Sequence, residues 1–482
     1  MKRQNRSQKK SRSRSSRRQG AAHPPPQTIK AQTRAFQAVL AGGIVLRLSV
    51  FAYMGYFNND NHLAVIEYVS RVWLPPSAAQ FDQAYHPPLY YFLAAPLYLL
   101  GSLPAVQGLS LLLSILTLCL IAALIHRLPG LDEKLMPWCL ALPSFHPQFI
   151  MFSLFISNDT LAIFVGALVF YQSWRVQAAP SPGNCALLGI FLGLGLLTKA
   201  VFLVFVLPLI LFVWAVLSRS ELPFPKVLAR ISAFAFIVTA VGCYKYVENF
   251  VLFGNPLLSN LDFATWAAEQ KPTWTSFRSV IDFDILKLVQ NPITSAATVH
   301  SYPLMLYGSF WYAFVPESTF RGNLIAPFNR LGSIIYLLAL CPTILGLIGA
   351  GRIVRSLAGL RFERSSENQL PANRTIYDGA LLLTLLLNLF LIVSVGWRYD
   401  VWSVFQARLL FPSYFAIVIA FSAGLAWSAQ SRPRFAVVRA FLLALFVVFF
   451  AYFLAEFYLA TRYPVNPLAL DHMPYKIDMN AR

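Results

Sequence analysis

The chain has 482 residues, 57% of them hydrophobic and 12% charged, and a mean hydropathy of +0.57. Soluble domains carry about 25% charged residues. Here the apolar residues come in blocks of roughly 20, the length that crosses a bilayer core, which excludes a soluble globular protein. The net charge of +19 does not make a nucleic-acid binder, because eleven of the 39 basic residues crowd into the first 34 positions with no acid among them.

That basic, Ser- and Pro-rich segment, residues 1–35, has no apolar run and is expected to be disordered. It lacks the short apolar stretch of a signal peptide. Its expected role is to hold the N-terminus in the cytoplasm, touching anionic lipid. Predicted spans follow at 36–57, 105–126, 134–153, 157–174, 185–198, 201–217, 228–247, 331–350, 376–397, 409–428 and 439–460. The stretch from Pro87 to Gly101 is only about 15 residues long and contains Pro96, so it predicts an interfacial or re-entrant helix. The run 185–217 would make one helix of about 50 Å, too long for a 30 Å core, and predicts instead a hairpin with Lys199 at its tip.

These eleven crossings put the loops with Arg127 and Lys134, Arg175, Arg219 to Arg230, Arg352 to Arg374 and Arg432 to Arg439 on the side of the tail. That agrees with the positive-inside rule. The opposite face then carries loops 58–104 and 248–330, the segment 461–482 and thirteen of the twenty acids. No P-loop or Gly-rich nucleotide fingerprint occurs. The five cysteines, Cys119, Cys139, Cys185, Cys243 and Cys341, lie in apolar runs with no metal-ligand spacing.

Candidate site residues come from the outer loops, in chain order. Asp60, Glu67 and Asp82 with His62 and His86 form the polar content of the first. A carboxylate just past the first span suits a general base, or it caps the helix that begins near Asn61. In His86-Pro87-Pro88 the prolines open a helix, which leaves His86 beside free N–H groups that suit an anion; a plain chain turn is the alternative. Asp159, in a short turn after Asn158, either caps the next helix or faces a cavity shared with Asp60. Lys199 at the tip of a short hairpin is paired, functional or snorkelling. Arg398, Asp400, Gln406 and Arg408 form a late turn in which arginine suits phosphate. Arg47, inside the first span, is expected to pair with a buried acid. His300 precedes an aromatic run that reads first as an interfacial belt.

Taken in order, Asp60-Asn61-His62, HPPLYY at 86–91, NDTLA at 158–162, LTKA at 197–200, FGNPL at 253–257, SFW at 309–311 and QARLLFP at 406–412 resemble the membrane-embedded GT-C glycosyltransferases. The resemblance is closest to bacterial relatives of the protein O-mannosyltransferases and lipid A aminoarabinose transferases, and spans about residues 36–412. It implies an all-α polytopic bundle of about 11 transmembrane helices over 36–460, with a short extracytoplasmic end at 461–482, in a bacterial inner membrane.

The same resemblance implies a polyprenyl-phosphate-linked sugar donor and a lipid, glycan or protein acceptor on the outer face. Asp60 takes the role of base and Asp159 that of second site carboxylate. His86, Lys199 and Arg408 hold donor phosphate, with His62, Glu67 and His300 as further substrate-binding candidates. Relatives often carry Asp-Glu where this chain has Asp60-Asn61, and Lys where it has His86. A divalent metal is therefore not indicated. Two other readings are a lipid-linked glycan transporter, which would need charged groups along a path through the membrane, and a non-catalytic assembly subunit of the same fold.

Overall fold

The computed structural model describes residues 26–54, 61–81, 83–128, 130–220, 222–259, 262, 276–292, 301–312, 330–360, 369–399 and 406–462. Asp60, Asp82, His300 and Asp400 lie outside them. The described elements are all helical. Eight of the described helices are long and apolar enough to cross a bilayer: Gln32–Tyr53, Leu89–His126, Ala200–Ser218, Phe224–Gly242, Arg330–Ala358, Ala372–Trp397, Ala407–Ser428 and Arg432–Thr461. The chain is a multi-pass membrane protein.

The other three predicted spans are helical but depart from a plain crossing. Helix α1 (Pro26–Met54) precedes α2 (His62–Val72) and the long α3 (Leu89–His126). The 134–153 segment is split at His146-Pro147 into α4 (Met136–Phe145) and α5 (Pro147–Phe152). Proline there lacks an N–H and cannot continue the ladder. Helix α6 (Asn158–Ala178) has Gln172, Ser173 and Gln177 buried against its neighbours, which lowers its hydropathy. Helix α7 (Pro182–Leu196) has 15 residues and ends at the turn bearing Lys199, as the hairpin expectation requires. The apolar stretch before Gly101 is joined to the next predicted span in α3, with the break at Gly101 and Ser102, whose φ is 57°.

Beyond α8 (Leu203–Ser218) and α9 (Phe224–Gly242) comes a short helix, α10 (Tyr244–Phe253). Small helices α11 (Phe277–Ile281), α12 (Ile285–Gln290) and α13 (Tyr302–Trp311) precede the long α14 (Arg330–Ala358) and α15 (Gln369–Tyr399). A 3-10 helix, Ala407–Ser413, then runs straight into α16 (Tyr414–Ser428), and α17 (Arg432–Arg462) closes the bundle. Helix α14 packs mainly on α16, α7 on α9, α6 on α3, and α8 on α15. The α14–α16 contact is tight because a Cβ on Gly349 would lie 1.7 Å from the Ala420 carbonyl oxygen, and one on Gly424 1.9 Å from that of Leu345. Small residues let transmembrane backbones touch in this way.

Arg47 corrects an expectation. It is fully buried, yet its hydrogen bonds go to Ser114 Oγ (2.9 Å) and to the carbonyls of Pro143 (2.9 Å), Gly43 (3.1 Å) and Ser144 (3.3 Å), not to an acid. The carbonyl of Pro143 would ordinarily accept from residue 147, but Pro147 has no N–H to give. Arg47 supplies the missing donor, and the negative end of the α4 dipole favours its charge.

Candidate functional site

One end of the bundle gathers four stretches of chain. These are the segment between α2 and α3, the start of α6, the tip of the α7–α8 hairpin and the 3-10 helix 407–413.

Ser157 has an extended backbone and its Oγ accepts from the N–H of Asp159 at 3.1 Å, so Ser157 caps α6. The expected capping role of Asp159 is thus filled by its neighbour, and the Asp159 carboxylate is left free to turn inward. It is 1% exposed. Its Oδ1 lies 2.5 Å from Lys199 Nζ, and its Oδ2 lies 3.5 Å from Arg408 Nη1 and 3.3 Å from Ser157 Oγ. Lys199 sits in extended backbone between α7 and a 3-10 turn, Ala200–Phe202. Its ammonium is buried and paired, so snorkelling to the bilayer surface is overturned.

Arg408 is held from several sides. The Asn388 amide donates to the Leu409 carbonyl at 2.9 Å and to Ser413 Oγ at 3.3 Å, and the N–H of Ala407 donates to Ser309 Oγ at 2.8 Å. The guanidinium lies over the Phe152 ring, 5.6 Å from its centroid. Beneath, Gly166 faces Pro412, where a Cβ would fall 2.1 Å from the carbonyl oxygen. Gly166 lies two turns beyond Asp159 on the same face of α6. The close approach therefore brings Arg408 to the carboxylate.

His86 is buried, and its Nδ1 has no hydrogen-bond partner among the described residues. Its ring stacks on His62 at 5.8 Å and lies 4.1 Å from the Tyr85 ring. His62 Nδ1 is 2.9 Å from the Tyr91 hydroxyl, which donates to the Gln83 carbonyl at 3.1 Å. The single tyrosine proton being used there, His62 Nδ1 carries the proton of its own bond. Burial, and then the charges of Lys199, His62, Arg408 and Lys245, push the His86 imidazole well below its ordinary range.

The helix after His86 differs from expectation by one residue. Pro88 is the N-cap and α3 starts at Leu89. The Leu89 N–H is not free for an anion, because it donates to the Leu197 carbonyl at 3.0 Å and ties α3 to the hairpin tip. Glu67 turns away from the cluster and accepts from the Tyr98 hydroxyl at 2.9 Å.

Three participants were not singled out from the sequence. Ser157 could have been found as a serine two residues before an acid at a helix start. Asn158 is fully buried, and neither its Oδ1 nor its Nδ2 has a partner among the described residues. Lys245 is 1% exposed and within Coulombic range of His86. It lies near the end of the predicted span 228–247 and gave no signal beyond an i, i+3 Lys–Glu pair.

Chemically, two cations face one carboxylate, beside a buried imidazole and an amide with no partner among the described residues. The surplus of positive charge in a buried setting suits a singly charged anion. Among the described residues, no three His, Cys, Asp or Glu side chains come within metal-binding range of one another.

Comparison with known proteins bears on the same stretch. Residues 84–255 match the model of the dolichyl-phosphate-mannose-protein mannosyltransferase family. No curated protein matches the chain. Among solved structures, the chain is similar to that of ArnT from Cupriavidus metallidurans bound to undecaprenyl phosphate, at 14% identity and a TM-score of 0.35, covering 82% of this chain and 79% of that one. It is likewise similar to the apo form, at 14% identity and a TM-score of 0.35, covering 84% and 80%. The family match contains HPPLYY, NDTLA and LTKA and ends within FGNPL, and it agrees with the resemblance to GT-C glycosyltransferases. His62 and Arg408 fall outside it.

Proposed function

We propose that this chain is a glycosyltransferase that moves a sugar from a polyprenyl-phosphate donor to a lipid, glycan or protein acceptor, on the extracytoplasmic face of a bacterial inner membrane. The observation that carries the reading is the Asp159 carboxylate held between Lys199 and Arg408, with the unpartnered Nδ1 of His86 buried nearby. A phosphodiester there bonds to Arg408, Lys199 and His86. The matched family, named for a lipid-phosphate sugar donor, supports the same class.

In this reading the acceptor oxygen attacks the anomeric carbon. The bond from that carbon to the phosphate oxygen breaks, and its electron pair leaves with prenyl phosphate. Asp60, just beyond the first span, takes the acceptor proton. Asp159 keeps Lys199 and Arg408 in place, and the Asn158 amide is offered to a sugar hydroxyl. Positioning and fixed charge supply most of the acceleration.

The test is single-turnover release of prenyl phosphate from a panel of polyprenyl-phosphate sugars. Asp60→Asn is expected to lower release by about 100-fold, the usual scale for a lost general base, while donor affinity stays near that of the wild type. Near-normal release by Asp60→Asn removes Asp60 from the mechanism. Silence of the wild type with every donor and acceptor pair favours the non-catalytic subunit.

A further inference from the structure

Helix α10 has an inverted face. Its buried residues are the polar Lys245 and Asn249, one turn apart. Its apolar residues Val247, Phe250, Val251 and Leu252 are between 54% and 73% exposed. In a membrane protein that pattern turns hydrocarbon toward lipid and polar groups toward protein. Burying an ammonium is costly unless its bonds are made, and Lys245 makes two. Nζ donates to the Pro76 carbonyl at 3.0 Å and to Glu248 Oε2 at 2.5 Å. The first bond crosses to the segment 73–88, which carries His86. Next to it, the Tyr246 hydroxyl donates to the Leu196 carbonyl at 3.1 Å, at the base of the turn that carries Lys199. Helix α10 is thus bonded to two of the stretches that converge on Asp159.

We propose that Lys245 is a positioning residue for the transfer reaction: its bond to Pro76 holds the segment 73–88, and with it His86, over the Asp159–Lys199–Arg408 cluster. The assignment rests on the donor-phosphate reading of that cluster. The charged and titratable groups facing His86 are His62 from α2, Tyr85 from its own segment, Lys199 from the hairpin, Arg408 from the 3-10 helix and Lys245 from α10. Removing the Lys245 charge deletes one of the influences that disfavour a charged imidazole there.

The experiment uses the full chain with Lys245→Met, which keeps length without charge, and Lys245→Arg, which keeps the charge. Hydrogen exchange over residues 73–88 is expected to speed up at least 10-fold in Lys245→Met and to return toward wild type in Lys245→Arg. The His86 imidazole, followed by NMR of the histidine ring, should titrate at higher pH in Lys245→Met. With an undecaprenyl-phosphate sugar as probe, the donor KM should rise at least 5-fold with kcat changed less than 2-fold. Exchange and His86 titration unaltered in a folded Lys245→Met overturn the inference, whatever the donor proves to be. Failure of the wild type to bind prenyl phosphate, with exchange and titration changed as expected, overturns the donor reading and leaves Lys245 as the latch of that segment.

Discussion

Asp159 and Lys199 are separated by 40 residues and meet at 2.5 Å in a buried setting. A buried pair of this kind resists the loss of one partner far more than the loss of both. Lys199→Met leaves Asp159 with Arg408 and the Ser157 hydroxyl and should lower the melting temperature clearly. Adding Asp159→Asn should recover most of that loss. Donor affinity should remain at least ~10-fold weaker in both variants, about 1.4 kcal/mol, because the phosphate has lost an ammonium. A melting temperature restored together with donor affinity would show that Lys199 serves only to neutralise Asp159. The sequence made Lys199 and Asp159 legible separately, through a short hairpin tip and an acid at a helix start. Their pairing was not legible, because nothing local in either segment names a partner 40 positions away. Lys245 was hidden more deeply, since a lysine at the end of a predicted span is ordinarily a surface anchor and its burial depends on a carbonyl at Pro76.

Helix α6 does two jobs with one face. Asp159 stands at its start and Gly166 two turns on, against the Pro412 carbonyl. Gly166→Ala cannot be accommodated without moving the 3-10 helix that carries Arg408, because the atom it meets is backbone. Overpacking of this kind costs typically about 1–3 kcal/mol. The expected result is a lower melting temperature with a several-fold rise in donor KM, measured against Gly183→Ala, where a Cβ meets nothing within 4 Å. Equal behaviour of the two variants would remove the close approach from the account of how Arg408 is placed. At this scale periodicity and length located all eleven predicted segments as helices. The break within α3 falls where the predicted stretch ends at Gly101, but those between α4 and α5 and after Gly242, inside the predicted span 228–247, were not placed, because a proline or glycine in an apolar run marks a kink only once its neighbours are known.

For the whole molecule, the described cluster lies at one end of the bundle, and the Arg- and Lys-rich loops are predicted at the other. Under the proposed topology, single cysteines at Gly183 and Gln369 should be protected from an impermeant thiol reagent applied outside. Cysteines at Ala79 and Ser276, both exposed, should react. The five native cysteines are replaced first, since all are free. Labelling of Gln369→Cys from outside would contradict the eleven-crossing arrangement. The helical, multi-pass architecture was readable from composition alone, because bilayer thickness fixes how long an apolar run must be. Asp60 and His300 lie outside the described residues, so their roles rest on the resemblance.

Arg47 carries a consequence for how the chain enters the membrane. The bonds that satisfy it come from carbonyls near residue 143, about 96 positions later in synthesis. Until that helix arrives, the first span must hold an arginine whose insertion is unfavourable by up to about 2.5–3.5 kcal/mol. Biogenesis of the first span is then completed only in partnership with a later one. A nascent chain stopped before Pro143 should integrate its first span less efficiently than one stopped after Phe152. Arg47→Leu should abolish the difference, as scored by a reporter fused after Tyr53. Equal integration at both stopping points, with Arg47 in place, would mean that lipid headgroups or water satisfy the guanidinium before its protein partners are made.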